Sequence, residues 1–289
     1  MLSYQHAYHA GNFADVLKHI VLVQVLNYLK TKDKPLCYID THAGSGDYKL
    51  HSGPAQKNQE YLCGIGNLWQ HETLPDCVAN YVNLIKHNNL SGHLSHYPGS
   101  PLLAAQLLGK NDRLFLYELH TAESRLLVDA VKQDKRIKTF RTDGLKDSLG
   151  LLPPKEHRGL ILIDPSYEIK DEYKAVVDAL QAMHKRFASG CYLLWYPVVA
   201  RKRNAYMERA LKESGIANIQ LFELGIQPDS EEFGMTACGM IVINPPWTLL
   251  ADMQDSLPWL AKTLGEGQQG YYRIEQLVGE NTKSNMFLS

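Results

Sequence analysis

The chain has 289 residues, 45% of them hydrophobic and 21% charged, with a formal net charge of −1. That length suits one large domain or one domain with an insertion, and the composition suits a globular fold with a sizeable core. The near-zero charge excludes a global basic field, so any nucleic-acid contact must come from local patches.

The five cysteines (Cys37, Cys63, Cys77, Cys191, Cys238) show no C-x-x-C pairing, which favours reduced thiols over disulfides or a zinc site. No secretory signal pattern opens the chain, and the apolar stretch Ile20 to Leu26 is too short to cross a bilayer. A cytoplasmic protein without a membrane partner is expected, and a monomer is assumed.

Asn12 to Leu29 carries apolar residues at helical spacing, with Asn12 placed to cap the first turn. Leu36–Asp40 reads as the first strand. Further strands are predicted at Arg113–Glu118, Ile137–Arg141, Leu160–Asp164, Cys191–Tyr196, Ile219–Leu224 and Met240–Asn244. Helical patterns at Ala122–Lys132, Glu172–Phe187 and Asn204–Ser214 lie between most of them. This alternation predicts an α/β fold with a Rossmann-like, doubly wound, mostly parallel sheet. The last two strands have no helix between them and are expected to pair as an antiparallel hairpin.

One interval breaks the rhythm. The second strand comes far later than the spacing of about 30 residues in a plain βαβ unit. The excess, residues 52–97, contains helix-like stretches at Gln56–Trp69 and Asp76–His87 and reads as a helical insertion. The remaining residues, 1–51 and 98–289, then form the main domain. The helix expected after the insertion starts with Ser100 as N-cap and Pro101 in the first turn.

Acids close several strands. The loop Thr41-His-Ala-Gly44-Ser-Gly46 follows the first strand and could hold a nucleotide or be a plain tight turn. It is not a dinucleotide fingerprint, because Lys49 stands where the third glycine would be, which weakens a nicotinamide dehydrogenase reading. Glu118 ends the second strand, where a carboxylate can accept from ribose hydroxyls or simply face solvent. Asp143-Gly144 follows the third strand, either beside a base or as an ordinary turn.

Asp164-Pro165-Ser166-Tyr167 closes the apolar run from Gly159. Asp164 could cap the next helix. Alternatively, its carboxylate and the Pro165 carbonyl could each accept an N–H of an adenine amino group while Tyr167 stacks on the ring. That would favour a pyramidal nitrogen with its lone pair toward an electrophile.

Two basic clusters, Arg201-Lys-Arg203 and Lys135, Arg136, Lys138 and Arg141, are candidates for phosphate contacts on the same face, or ordinary solvated surface. Tyr4, His6, Tyr8 and His9, followed by Lys18 and His19, suggest an N-terminal lid more than a metal site.

The strand–HAGSG loop, Glu118 and the Asp-Pro-x-Tyr motif resemble the class I S-adenosylmethionine-dependent methyltransferases that act on amino groups of bases. Met1-Leu-Ser-Tyr-x-His, His9-Ala-Gly-Asn-x-Ala-Asp-Val-Leu-Lys-His19, Asp40-Thr-His-Ala-Gly-x-Gly46, Tyr97-Pro-Gly-Ser-Pro101 and Asn244-Pro-Pro-Trp247 narrow this further. Together they resemble the RlmJ-type 23S ribosomal RNA adenine-N6-methyltransferases, a family also linked to DNA utilisation. The resemblance spans nearly the whole chain.

It implies S-adenosylmethionine held at His19, His42, Ser100, Glu118, Asp143, Gly144 and Asp164, with no metal. It also implies base handling by Tyr4, His6, Lys18, Asp164, Pro165 and Tyr167, and 23S rRNA as the partner. Ser166 departs from the family's Asp-Pro-Pro-Tyr but leaves the carboxylate, the carbonyl and the ring in place. DNA adenine as substrate, and a non-catalytic nucleic-acid-binding factor, are the rival readings.

Overall fold

The computed structural model describes residues 5–169, 171–230 and 234–280. A short 3-10 turn at His6–Tyr8 leads into α1, Phe13–Lys30. Asn12 caps α1 as expected, accepting from the amides of Ala14 and Asp15. Residues 13–26 of α1 are all buried, including Asp15, Lys18 and His19, so this helix runs through the interior.

Strand β1, Cys37–Asp40, follows, then β2, Asp47–Lys49. Three helices come next: α2 at Gly53–Asn58, α3 at Ile65–Trp69 and α4 at Asp76–His87. Strand β3, His96–Pro98, pairs antiparallel with β2, and α5, Ser100–Leu107, leads back toward the sheet.

The stretch expected as one helix over Gln56–Trp69 is broken in two. Gln59 adopts a left-handed φ of 53°, and at Gly64 a Cβ would lie 2.1 Å from the Gly11 carbonyl oxygen. The chain bends there so that the Ile65 amide can reach that same carbonyl. Tyr61, Ile65, Leu68, Val78, Tyr81 and Ile85 join the hydrophobic cluster built on α1.

The rest alternates: β4 (Arg113–Tyr117), α6 (Thr121–Val131), β5 (Ile137–Phe140), α7 (Gly144–Asp147), β6 (Gly159–Ile163), α8 (Glu172–Arg186), β7 (Cys191–Val198) and α9 (Arg201–Lys212). It ends with β8 (Ile219–Gly225), β9 (Ala237–Ile243), α10 (Leu249–Leu264) and β10 (Tyr271–Val278).

The main sheet has eight strands in the order β10-β8-β9-β7-β6-β1-β4-β5. Strands β5, β4, β1, β6 and β7 are parallel, β8 and β9 form the expected antiparallel hairpin, and β10 adds an antiparallel edge. Helices α7 and α10 and strands β2, β3 and β10 go beyond the elements predicted from the sequence.

Side-chain alternation sorts the core onto the two faces of the sheet. Leu160 and Leu162 pack with α1, α4 and α10, whereas Ile161 and Ile163 pack with α8 and α9. Parallel strands buried on both faces read as continuous apolar runs, which is why these strands were legible.

Candidate active site

The chain runs from β1 to β4 and β5 on one side, then returns to place β6 on the other side of β1. Such a reversal opens a crevice at the carboxyl ends of the strands. Asp40 is the last residue of β1, and its partners Leu116 and Leu162 lie near the same ends of β4 and β6. Glu118 directly follows β4, Asp143 follows β5, and Asp164 directly follows β6. Parallel pairing therefore brings all four acids to one sheet edge.

Lys18 joins α1 to this edge. Its ammonium donates to Asp164 Oδ2 at 2.6 Å and lies 2.7 Å from Asp15 Oδ1. Asp15 Oδ2 also accepts from the Gly11 amide at 2.8 Å and meets His6 Nε2 at 2.9 Å. Side-chain exposure is 1% for Asp15, 6% for Lys18 and 15% for Asp164, so this is a buried ionic chain running from the N-terminal turn to the motif carboxylate. Burial alone would raise the Asp15 carboxyl, but the neighbouring His6 and Lys18 hold it well below its ordinary value. Burial raises the Asp164 carboxyl, and Lys18 offsets part of that. Asp15 lies in the His9–His19 motif, but the sequence assigned it no role, because that role depends on partners brought together by folding.

Ser100 does not cap α5, contrary to the expectation. Gly99 occupies the cap position, and the Ser100 hydroxyl instead donates to Asp40 Oδ2 at 2.7 Å, beside Tyr38 Oη at 2.8 Å. Asp40 is wholly buried, and burial pushes its carboxyl up to about 6. The ring of His19 is also buried. Its Nδ1 lies 2.6 Å from Tyr97 Oη, while its Nε2 has no hydrogen-bond partner among the described residues. Burial lowers this imidazole to about 3 and that of His42 to about 4, so both are neutral at physiological pH.

Glu118 accepts from the amides of Gly44 and His120, at 2.9 and 2.7 Å, which ties the glycine loop to the end of β4. Asp143 caps α7 by accepting from the Leu145 and Lys146 amides. At Gly144 a Cβ would stand 2.3 Å from the Thr41 carbonyl oxygen, so only glycine lets this turn rest against the loop after β1.

Tyr167 holds a left-handed φ of 53°, uncommon for a residue with a side chain. Its hydroxyl donates to the Trp195 carbonyl at 2.8 Å, and its ring lies 4.5 Å from that of Tyr173 and 6.0 Å from that of Trp195. Pro165 is buried beside it. Tyr4 lies outside the described residues.

The basic clusters divide differently from the expectation. Arg141 follows β5 at the acid-bearing edge, but Lys135 and Arg136 precede β5 and so lie at the opposite one. Arg136 is held by Asp134 and by the carbonyls of Ala105 and Leu108. Arg201 is committed to Glu223 and Asp229, each at 2.7 Å. The Asn244–Trp247 segment follows β9 at the opposite edge too, where Asn244 donates to the Ala188 and Gly190 carbonyls.

Residues 33–278 match the family model described as "RsmJ: Ribosomal RNA large subunit methyltransferase D, RlmJ". The proteins named Ribosomal RNA large subunit methyltransferase J from Haemophilus influenzae and from Escherichia coli K12 are each 48% identical to this chain. Each match covers 97% of this chain and the whole of the relative. A crystal structure of a Legionella pneumophila protein superposes with a TM-score of 0.86 at 41% identity, covering 93% of this chain and 98% of that one. This chain belongs to the RlmJ family of ribosomal RNA large subunit methyltransferases.

Proposed function

We propose that this protein transfers a methyl group from S-adenosylmethionine to N6 of an adenine in 23S ribosomal RNA. The observation that carries the reading is Asp164-Pro165-x-Tyr167 closing the strand beside β1, at the crevice where the strand order reverses, in a chain of this family.

Several features fit the cofactor. A buried, neutral His19 presents a nitrogen without a partner among the described residues, Ser100 is held on Asp40 at the end of β1, and the loops at Gly44 and Gly144 are tightly packed. His19, His42, Ser100, Glu118, Asp143, Gly144 and Asp164 would hold it. When bound, the cofactor supplies an electrophilic methyl on a sulfonium.

Every other contribution comes from the chain. An adenine amino nitrogen is a poor nucleophile because its lone pair is delocalised into the ring. Lys18 engages Asp164 Oδ2 and favours the ionised carboxylate against its burial, which leaves Oδ1 to accept one amino N–H while the Pro165 carbonyl accepts the other. That pairing aims the lone pair, and Asp164 is a route for the departing proton. Tyr167 would form the aromatic wall, with His6 and Lys18 among the residues that handle the base. Such a pocket requires the base to leave its stack, which favours single-stranded or loosely folded RNA.

In the same reading, residues 52–97 are an insertion into a methyltransferase domain formed by 1–51 and 98–289, and the protein is a cytoplasmic monomer. Among the described residues no helix is long and apolar enough to cross a membrane.

The test is transfer of labelled methyl to protein-free 23S rRNA, with matched DNA and the Asp164→Ala variant alongside. Label on RNA adenine, lost in the variant, is expected. Label on DNA alone would move the substrate to DNA, and wild-type turnover by Asp164→Ala would overturn the chemistry.

A further inference from the structure

Three buried groups stand in a row behind the crevice. Tyr81 Oη of α4 lies 2.9 Å from Tyr97 Oη of β3, which lies 2.6 Å from His19 Nδ1 of α1. Both tyrosines are wholly buried and His19 is 1% exposed. Each phenol carries one proton, and if His19 Nδ1 and Tyr81 both donated to Tyr97 its own proton would be left unplaced, so the row runs one way or the other. If His19 Nδ1 donated to Tyr97 and Tyr97 to Tyr81, the Tyr81 proton would need a further acceptor. Among the described residues Tyr81 Oη has no hydrogen-bond partner but Tyr97. A buried donor left unsatisfied costs about 1–3 kcal/mol. In the other direction Tyr81 donates to Tyr97 and Tyr97 to Nδ1, and every proton is placed. The imidazole proton then sits on Nε2, the atom that lacks a protein partner.

We infer that Tyr97, with Tyr81 ending the row behind it, is a positioning residue that fixes His19 as an Nε2–H donor toward the carboxylate of the bound methyl donor. The inference rests on the cofactor reading above. The carboxylate is chosen because it is the donor molecule's only anion, and a charged acceptor makes the strongest partner for a buried N–H. Burial keeps His19 neutral, so the choice of tautomer, and not a charge, decides what the ring can hold. Tyr97 belongs to β3, and Tyr81 of α4 packs the far end of the row.

The test compares binding of S-adenosylhomocysteine with that of 5′-methylthioadenosine, which keeps the nucleoside and lacks the amino-acid end. Tyr97→Phe should weaken S-adenosylhomocysteine about tenfold, the scale of one charge-assisted hydrogen bond, and leave 5′-methylthioadenosine within twofold. Tyr81→Phe should change either ligand by less than about threefold, because Tyr97 still has only Nδ1 to donate to. Nitrogen-15 NMR of the His19 ring, assigned with His19→Gln, should show the Nε2–H form in the wild type and a mixture in Tyr97→Phe. Equal losses for both ligands, no loss for either, or an Nδ1–H ring in the wild type would each overturn the relay. A wild-type protein that binds neither ligand would instead remove the cofactor reading beneath it.

Discussion

Asp15 and Asp164 both hold Lys18, and the structure predicts opposite consequences for replacing them. Asp15 is enclosed, with Oδ1 on the Lys18 ammonium and Oδ2 shared by the Gly11 amide and His6. Asparagine at this position must turn its NH2 toward one of those donors. The substitution therefore removes the charge opposing a buried lysine and sets donor against donor. Breaking such a buried pair costs about 3–5 kcal/mol.

Asp164 meets Lys18 through one oxygen and is the more exposed of the two carboxylates. Asp164→Asn can keep its oxygen on Lys18, which still has Asp15, so about 1 kcal/mol is expected. Thermal unfolding should therefore fall by about 6–10 °C for Asp15→Asn and by only about 2 °C for Asp164→Asn, at about 2 °C per kcal/mol. Methyl transfer should rank the other way, with Asp164→Asn losing about 10²–10⁴-fold as an acceptor and proton route. Calorimetric unfolding and single-turnover methylation on the same preparations give both rankings. If Asp164→Asn proved the less stable protein, Lys18 would be anchored by Asp164, and the assignment of Asp15 as the hub would be wrong.

Asp40 carries a pH signature. Its carboxyl is raised from 3.8 to about 6 in the folded state, so the folded protein binds this proton more tightly. Its contribution to stability is greatest below about pH 4 and is lost as pH rises to about 6, a fall of about 3 kcal/mol. Asp40→Asn should remove that component from the pH dependence of denaturant unfolding; an unchanged difference between wild type and variant across this range would refute the assignment. Gly144→Ala drives a Cβ into the Thr41 backbone, which cannot rotate away, so thermal stability and S-adenosylhomocysteine affinity should drop together. Retention of both would show that the α7 turn shifts freely. Ser166→Pro should leave turnover equal or higher, because it restricts Pro165 before the left-handed Tyr167; a collapse in rate would assign the serine a role of its own.

Much of this protein was legible in the chain alone. Apolar runs of four or five residues ending in Asp40, Asp164 or just before Glu118 reveal buried parallel strands, because strands covered on both faces carry no polar alternation. An acid at the end of such a strand is a local fact, so the position of the crevice could be read before any contact was known. Strand β10 was hidden by its polar Arg273, Glu275 and Gln276, as befits an edge. Ser100 and Pro101 resembled a cap and its follower, yet the Ser100 hydroxyl found Asp40, sixty positions away, a stronger acceptor than a backbone turn can offer.

Only the tertiary structure decided how the acids are used. Asp164 reaches Lys18 across 146 residues, and Tyr97 reaches His19 across 78. Periodicity records which face a residue takes within its own element. It carries nothing about which charge will stand opposite, because that depends on how separate elements pack once water has been excluded between them.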